Sequence, residues 1–500
     1  METNCPLCGS LNHIFDGPGF GRCSGEKCNA IYPLHMPNQG LSRPSKAASG
    51  SSGTLLIDFG TSSIRVGLRT TGKPSLLSLA SYHTNNYASG EESEIKSWIF
   101  IDKRSARVYF GDEAATRASH LRRDGIYFRS PKNWLLKDFA SIDSPPSGVT
   151  DLAVSKFSLL VGLLAHALKP IESAEGVLFS GLEIRLAHPV FEEPNWSQQK
   201  LLFEQLLAAA CSLCCADEPT QGIELSALPT RGPLPPAYSY VDISEPVAAA
   251  VHQFENSNNS RELCAIVDVG AGTTDLGLFV SLTPDYSLDN SGRFPRRFKS
   301  IAPAVSIPYA GDFIDDLIIE LFSDKLEAWI LDRLRLEVRE EKAKIFNTGK
   351  TIYHDCTISE QDLLEHPKIT SFTNKIYEVF TKMIASAQVE LESLCTLRIH
   401  AITHVNVVFV GGGANLPFIR SAIPDRITIN NNFALPVIKH GGCDSSQAVG
   451  QRVPSDRFSV VFGGLTAWQD WPMDNASTAL VGGLDRMPMK GVITLGNFGD

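Results

Sequence analysis

The residues best placed to do chemistry surround a glycine-rich turn in Ala265 to Val280, AIVDVGAGTTDLGLFV. The short apolar run Ala265, Ile266, Val267 predicts a fully buried strand by its length and β-branched content, and it closes at Asp268. Gly270, Ala271 and Gly272 then make a tight turn, and Leu276 to Val280 resumes a strand. A glycine-tipped hairpin can bring several backbone N–H groups against an anion, because no Cβ stands in the way. Thr273 adds a hydroxyl, while Asp268 and Asp275 add carboxylates. Carboxylates beside a phosphate cradle repel the ligand unless a hard cation such as Mg²⁺ lies between them. The turn therefore asks for a metal–nucleotide complex, although in isolation the same pattern also describes a plain hairpin. Thr54 to Gly67, TLLIDFGTSSIRVG, repeats it: apolar strand, Asp58, Gly60, hydroxyls at Thr61 and Ser62, then strand again. Two such hairpins predict a duplicated fold that binds one ligand between its halves.

A second constellation opens the chain. Cys5-Pro6-Leu7-Cys8-Gly9 is followed by Cys23-Ser24-Gly25-Glu26-Lys27-Cys28. Each cysteine pair directs two thiolates at one point, and together they make a closed tetrahedral site. Residues 1–35 are too few to bury a core, so metal would supply the folding energy of a zinc ribbon; a disulfide or a vestigial ribbon are the alternatives. His13 and His35 are spare ligands beside four cysteines that already fill the shell. The segment is not basic, and a four-cysteine site is structural, so its expected use is docking a protein partner.

The elements that must position these groups follow in order. Residues 36–53, rich in Pro, Gly and Ser, form a flexible linker. The expected lobes are 54–260 and 261–450, with 451–500 returning to the first lobe and ending in a tail that carries no assignable pattern. Thr70 to Ile142 reads as short strands and loops, Asp151 to Leu168 as a helix and Gly181 to Val190 as a strand. Gln198 to Cys215 reads as a helix with Cys211, Cys214 and Cys215 on one face, buried as small apolar residues or, alternatively, serving redox or metal chemistry. Ser291 to Lys299, SGRFPRRFK, is a solvated hairpin tip or a small basic contact site. Gly311 to Asn347 reads as one long helical stretch, with apolar residues at helical spacing in DFIDDLIIELF.

Composition sets outer bounds. The 500 residues exceed one compact core, and 43% hydrophobic with 20% charged residues describes a globular protein. The balance of 45 basic against 55 acidic residues argues against broad, charge-driven binding to nucleic acid. No apolar run approaches a membrane span, no signal-peptide core occupies the first residues, and 11 scattered cysteines suit a reducing compartment; the expected location is cytoplasmic.

With the motifs in place, residues 54–466 resemble the actin-like ATPase superfamily, which includes actin, sugar kinases and the seventy-kilodalton heat-shock chaperones. The two hairpins resemble its phosphate loops. Ser244-Glu245-Pro246-Val247-Ala248-Ala249-Ala250 is similar to the chaperone connecting helix, whose glutamate faces the metal and water. VVFVGGGANLPFI, Val407 to Ile419, resembles the adenosine motif, and Gly111 to Leu135 resembles the chaperone segment ending in the catalytic lysine, here Lys132. Without that match, Lys132 reads as a solvated surface residue. AGTTD and GGGANLP also resemble bacterial rod-shape filament proteins.

The resemblance implies an α/β fold, a two-lobed actin-like ATPase built of duplicated ribonuclease-H-like domains, with ATP and Mg²⁺ between the lobes. It implies that Gly60, Thr61, Ser62, Gly270, Ala271, Gly272 and Thr273 cradle phosphates with Asp275 among the nucleotide-binding residues, that Asp58, Asp268 and Glu245 organise the metal through water, and that Lys132 orients the attacking water. Glu341, Lys344 and Thr348, with Gly411, Gly412, Gly413 and Asn415, would hold the nucleoside. Ile345 and Asn415 stand where the family carries arginines that sandwich adenine, so the base should be held less tightly than the phosphates.

Three functions compete on these grounds. The first is a chaperone-type ATPase acting as a nucleotide switch for a partner, since the stretch after Thr466 is too short for a peptide-gripping β-sandwich. An actin-like filament protein and a sugar-kinase-like phosphotransferase are the alternatives. The cysteines yield a direct expectation: elemental analysis should find about one zinc per chain, lost when Cys5 and Cys8 are both replaced by serine. Zinc undiminished in that variant would remove the ribbon.

Overall fold

The computed structural model describes residues 13–15, 20–23, 31–33, 53–69, 75–76, 94–120, 125–136, 138–175, 182–190, 196–214, 222–231, 239–256, 261–282, 297–396, 402–414, 416–430, 433–441 and 458–466. The chain is mixed α/β, with several sheets. It divides into two compact units, one drawn from Met1–His188, Asn195–Ile243 and Asp315–Thr357, the other from Pro189–Pro194, Ser244–Ile314 and Ile358–Asp500.

The first unit opens with a three-stranded antiparallel sheet, β1 (His13–Phe15), β2 (Phe20–Cys23) and β3 (Ile31–Pro33). Of the four cysteines read as zinc ligands, Cys23 ends β2; Cys5, Cys8 and Cys28 lie outside the described residues. The main sheet begins with the first glycine hairpin, β4 (Gly53–Phe59) and β5 (Ser63–Arg69), to which β6 (Ser75–Leu76) and β7 (Glu94–Lys96) both pair. A smaller sheet follows, with β8 (Ile99–Asp102), β9 (Arg107–Phe110) and, after helix α1 (Gly111–His120), β10 (Gly125–Phe128). Then come α2 (Asn133–Leu136), α3 (Lys156–Glu175), β11 (Leu182–His188), α4 (Trp196–Leu213), β12 (Ile223–Glu224) and β13 (Ser239–Ser244). The helix expected from Asp151 starts instead at Lys156, because the Ser155 hydroxyl accepts from the Ser158 N–H and caps it there. The main sheet runs β13-β11-β4-β5-β6, with β11 parallel to β4.

The second unit repeats that plan. After α5 (Glu245–Asn256), the second hairpin is β14 (Arg261–Val269) and β15 (Thr274–Leu282), extended by β16 (Arg297–Ile307). The next helical stretch is two helices rather than one, α6 (Gly311–Ser323) and α7 (Ala328–Thr348), and residues Asp315–Thr357 belong to the first unit. Their apolar stripes differ: Ile314, Leu317, Ile318 and Phe322 are buried in α6, while Leu334, Val338 and Ile345 are buried in α7, and the chain breaks where one stripe ends. The short strands β17 (Lys350–Tyr353) and β18 (Cys356–Ser359) lead to α8 (Glu360–Leu364), α9 (Pro367–Ser386) and α10 (Gln388–Cys395). Strand β19 (Val405–Val410), α11 (Pro417–Ser421), β20 (Arg426–Ile429), β21 (Phe433–Gly441) and α12 (Ser459–Gly464) complete the described chain. The sheet order is β16-β15-β14-β19-β21-β20, with β19 parallel to β14 and β21 parallel to β19. In each unit an antiparallel hairpin is thus continued on its first-strand side by a parallel strand, β11 in one and β19 in the other.

Two contacts fix helices close to these sheets. In the first unit α7 carries Leu336 onto the cluster of Trp98, Phe100 and Tyr109, and the α6 residue Asp315, fully buried, meets three cations: Lys342 Nζ at 2.6 Å, Arg129 Nη2 at 3.4 Å and Arg339 Nε at 3.5 Å. Burial works to raise the Asp315 carboxyl, but Lys342, Arg129 and Arg339 outweigh it and hold it below the ordinary carboxylate range. In the second unit the alanines of α5 let α12 approach so closely that a Cβ on Gly463 would lie 1.7 Å from the Ala248 carbonyl oxygen. Among the described residues no helix is long and apolar enough to cross a membrane.

The α5–α12 contact makes a stability prediction. Gly463→Ala forces the helices apart and should cost about 1–3 kcal/mol or more in chemical denaturation. Gly412→Ala, whose added methyl meets nothing within 4 Å, is the matched control and should change stability far less. Equal effects from both would remove the close helix contact.

Candidate functional site

Each hairpin gathers candidate residues at one end of its own sheet, and each group is set by strand register. In the second unit, β14 and β15 place Asp268 opposite Asp275, and β16 places Ser306 on the other side of Asp275. The strands close tightly at the turn: the Gly270 N–H donates to the Thr273 carbonyl at 3.0 Å, and a Cβ at Gly270 would crowd that oxygen at 3.2 Å. The carbonyls of Gly270 and Ala271 accept from the N–H groups of Gly311 and Asp312 at 3.1 and 2.7 Å, so the first turn of α6 is satisfied by the loop itself.

Asp275 is almost wholly buried. Its carboxylate accepts from the Thr273 hydroxyl at 2.9 Å and from the Val190 N–H at 3.3 Å. Burial first, and the Glu245 carboxylate second, push its carboxyl up to about 7. Glu245 begins α5 and is itself buried, so the α5 N-terminus presents an acid to an acid. The Gly411–Gly413 turn at the end of β19 packs against the same strand end. A Cβ on Gly411, whose φ is +85°, would lie 2.4 Å from Asp268 Oδ1, and the Gly413 N–H donates to the Val269 carbonyl at 2.8 Å. Gly412 faces open space. Only glycine serves at position 411, for conformation and for room. The second unit therefore gathers Glu245, Asp268, Gly270, Ala271, Gly272, Thr273, Asp275 and Gly411 to Gly413 at one end of its sheet; Asn415 lies outside the described residues.

The first unit gathers Asp58, Gly60, Thr61, Ser62 and Lys132. A Cβ on Gly60 would lie 2.5 Å from the Ser63 carbonyl oxygen, the counterpart of the Gly270 contact. Ser97, absent from the sequence reading, clamps this turn: its N–H donates to the Ser62 carbonyl at 2.9 Å and its hydroxyl to the Gly60 carbonyl at 2.8 Å. Lys132 is only 2% exposed, with its ammonium 5.9 Å from the centre of the Phe59 ring at the end of β4, so it is no solvated surface lysine.

The nucleoside candidates on α7 have protein partners. Glu341 is buried; one oxygen holds Lys344 Nζ at 2.6 Å and the other accepts from the Thr351 hydroxyl. Thr348 is exposed and its hydroxyl is shared between the Lys344 and Lys350 carbonyls. Ile345 was expected to offer an apolar face to a base, but it is fully covered by protein and presents no face at the surface. Residue spacing could not reveal this, because the helix turns the 341/345 face into the core.

Sequence reading also missed Arg65. It lies directly opposite Asp58 on β5 and opposite Glu94 on β7, with ion pairs of 2.9 Å to Asp58 and 2.7 Å to Glu94. Burial opposes its charge, but Glu94 and then Asp58 more than offset this and hold the guanidinium above its ordinary range. The signal available was a charge inside an otherwise apolar strand; its partners are not visible without the register. Among the described residues no group of three or more His, Cys, Asp or Glu side chains is arranged to hold a metal by protein ligands alone. The acids at the second turn suit instead an ion that keeps its water, as Mg²⁺ does. Compared with known proteins, the sequence matches no family model and no curated protein.

The raised Asp275 carboxyl has a thermodynamic consequence. Its folded value, about 7, exceeds its ordinary 3.8. Stability from this group is therefore complete below about pH 4 and is lost as pH rises towards 7, because ionisation costs more in the folded chain. Asp275→Asn keeps the hydrogen-bonding shape without the charge. In EDTA at pH 8 it should stabilise the protein by up to about 4 kcal/mol, an upper bound, with the gain closing towards pH 4. Denaturation midpoints at the two pH values check this, and a pH-independent difference would refute it.

Proposed function

We propose that the chain is a slow, Mg²⁺-dependent ATP hydrolase of the heat-shock-chaperone type, working as an ATP/ADP conformational switch for a protein partner in the cytoplasm. The observation that carries this reading is the buried Asp275 beside a glycine turn, hydrogen-bonded to the Thr273 hydroxyl and the Val190 N–H and raised by burial and by the Glu245 carboxylate. Two acids held together at a backbone N–H cradle make sense as a place for a hydrated divalent ion and phosphate oxygens. A plain hairpin gives no reason to bury them. The close approaches at Gly60 and Gly411, where a Cβ would strike backbone or carboxylate, explain why both turns are built on glycine.

Mg²⁺, when bound, neutralises charge on the β- and γ-phosphates. The chain's own residues do the rest. Gly270, Ala271, Gly272 and Thr273 receive phosphate oxygens on one turn, and Gly60, Thr61 and Ser62 on the other. Asp268, Asp275 and Glu245 hold the ion's water shell, with Asp58 as the acid of the first turn. Lys132, already drawn out of solvent, orients water at the γ-phosphorus. Gly411 to Gly413 lie where a nucleoside can approach backbone closely. Catalysis of this kind is positioning and charge neutralisation without a covalent intermediate. The zinc ribbon, with Cys5, Cys8, Cys23 and Cys28 on Zn²⁺, would dock the partner.

Steady-state hydrolysis with Mg²⁺ tests the reading. Lys132→Ala and Thr273→Ala should each lower kcat by roughly 10²–10³, the usual cost of losing one preorganised charge-stabilising group. Glu245→Ala should also damage turnover. A Lys132→Ala protein that hydrolyses as fast as its parent would rule out this mechanism, and ATP-dependent pelleting of that protein would favour a filament.

A further inference from the structure

The two glycine hairpins are equivalent position by position, and at one position they differ in sign. Asp58 stands two residues before Gly60, as Asp268 stands two before Gly270; Arg65 stands five after Gly60, as Asp275 stands five after Gly270. Strand register confirms the match, since Asp58 faces Arg65 as Asp268 faces Asp275. The third strand supplies Glu94 in one unit and Ser306 in the other. One row therefore reads acid, base, acid, and the other acid, acid, hydroxyl. Cross-strand neighbours of this kind interact directly, and like charges side by side are unfavourable. The second row sets that conflict between Asp268 and Asp275, which face each other across the strands. In the first row Arg65 resolves it, with Nη1 on Asp58 and Nε on Glu94 and its side chain only 12% exposed.

We propose that Arg65 is the built-in counterion of the first turn, a positioning residue that neutralises and fixes Asp58 so that this turn accepts phosphate charge without a metal. The divalent ion then belongs to the second turn alone. The inference rests on the ATPase reading above and departs from it in one respect, since Asp58 is held by a guanidinium and not by the ion's water shell. The first turn takes anionic oxygen against a fixed cation, and the second takes the metal against paired carboxylates. Burying Asp58 and Glu94 around one guanidinium also explains why the row tolerates two acids at a strand end.

The experiment separates the two turns by metal. Calorimetry of the full chain with ATP is run in EDTA and in Mg²⁺. Arg65→Met should weaken ATP binding in EDTA by roughly tenfold or more, the scale of a lost charge-assisted contact, and weaken binding in Mg²⁺ much less. Arg65→Lys should retain most of the EDTA affinity. Asp275→Asn should do the reverse, keeping EDTA binding and losing the gain from Mg²⁺. Glu94→Gln, which leaves Arg65 one acid fewer, should tighten binding in EDTA, and it carries the test if Arg65→Met does not fold. An Arg65→Met loss equal in both conditions, or no tightening by Glu94→Gln, overturns the proposal. A second arm needs no nucleotide: Mn²⁺ alone, followed by electron paramagnetic resonance, should find one more bound ion in Arg65→Met than in the parent. Asp58→Asn added to that variant should abolish the extra ion. If the parent binds no ATP in either condition, the ATPase reading falls while the Mn²⁺ arm still decides the counterion; no extra Mn²⁺ overturns it.

Discussion

Two carboxylates cannot lie side by side away from water without a cation or a proton, and this chain meets that constraint twice at the same place in its fold. Each main sheet ends a buried strand on an aspartate, turns through glycine, and returns so that a second side chain stands opposite the first. The strands leading there are apolar throughout, with Leu55, Leu56 and Ile57 in one and Ala265, Ile266 and Val267 in the other fully covered. Burying such side chains contributes roughly 1.5–3 kcal/mol each for the larger ones. That apolar burial holds the hairpins rigid enough to keep the charged residues at their tips in register.

The two solutions have different energetics. In the first unit the guanidinium is in place, and the row is complete as folded. In the second, Asp275 receives hydrogen bonds from the Ser306 and Thr273 hydroxyls and the Val190 amide, and these lower its carboxyl, but burial and Glu245 raise it more. Strain of this sort is retained only where the surroundings over-determine it. Here the surroundings are the α5 N-terminus, the glycine turn and the Gly411 loop, all packed against one strand end.

Much of this was legible in sequence. The duplicated hairpins, the Ala-rich helix after Glu245 and the glycine turn after β19 have local signatures, since an apolar run of a few residues ending in Asp and Gly specifies a strand and its turn without help from afar. The rest depends on residues distant in the chain. Arg65 has no local signature of its role, because Glu94, its partner, lies 29 residues on. Ser97, which clamps the first turn, is equally remote. On α7, spacing alone gave the helix but not its rotation, so Ile345 was read as facing a ligand when Leu334, Val338 and Glu341 share its buried side. The break between α6 and α7 was missed because both halves carry helical periodicity.

Helix α6 ties these observations to the turn. Its first N–H groups are bound by the Gly270 and Ala271 carbonyls, and one turn later it carries Asp315, surrounded by Lys342, Arg129 and Arg339. The three cations hold this buried carboxylate in place within the first unit, since each attraction falls as the separation grows. Arg129, in addition, precedes Lys132 by three residues, and its Nη1 donates to the Arg335 carbonyl of α7. The lysine read as catalytic is therefore anchored close in sequence to the Asp315 cluster. The acid at the centre of that cluster is carried by a helix whose first hydrogen bonds come from the second glycine turn.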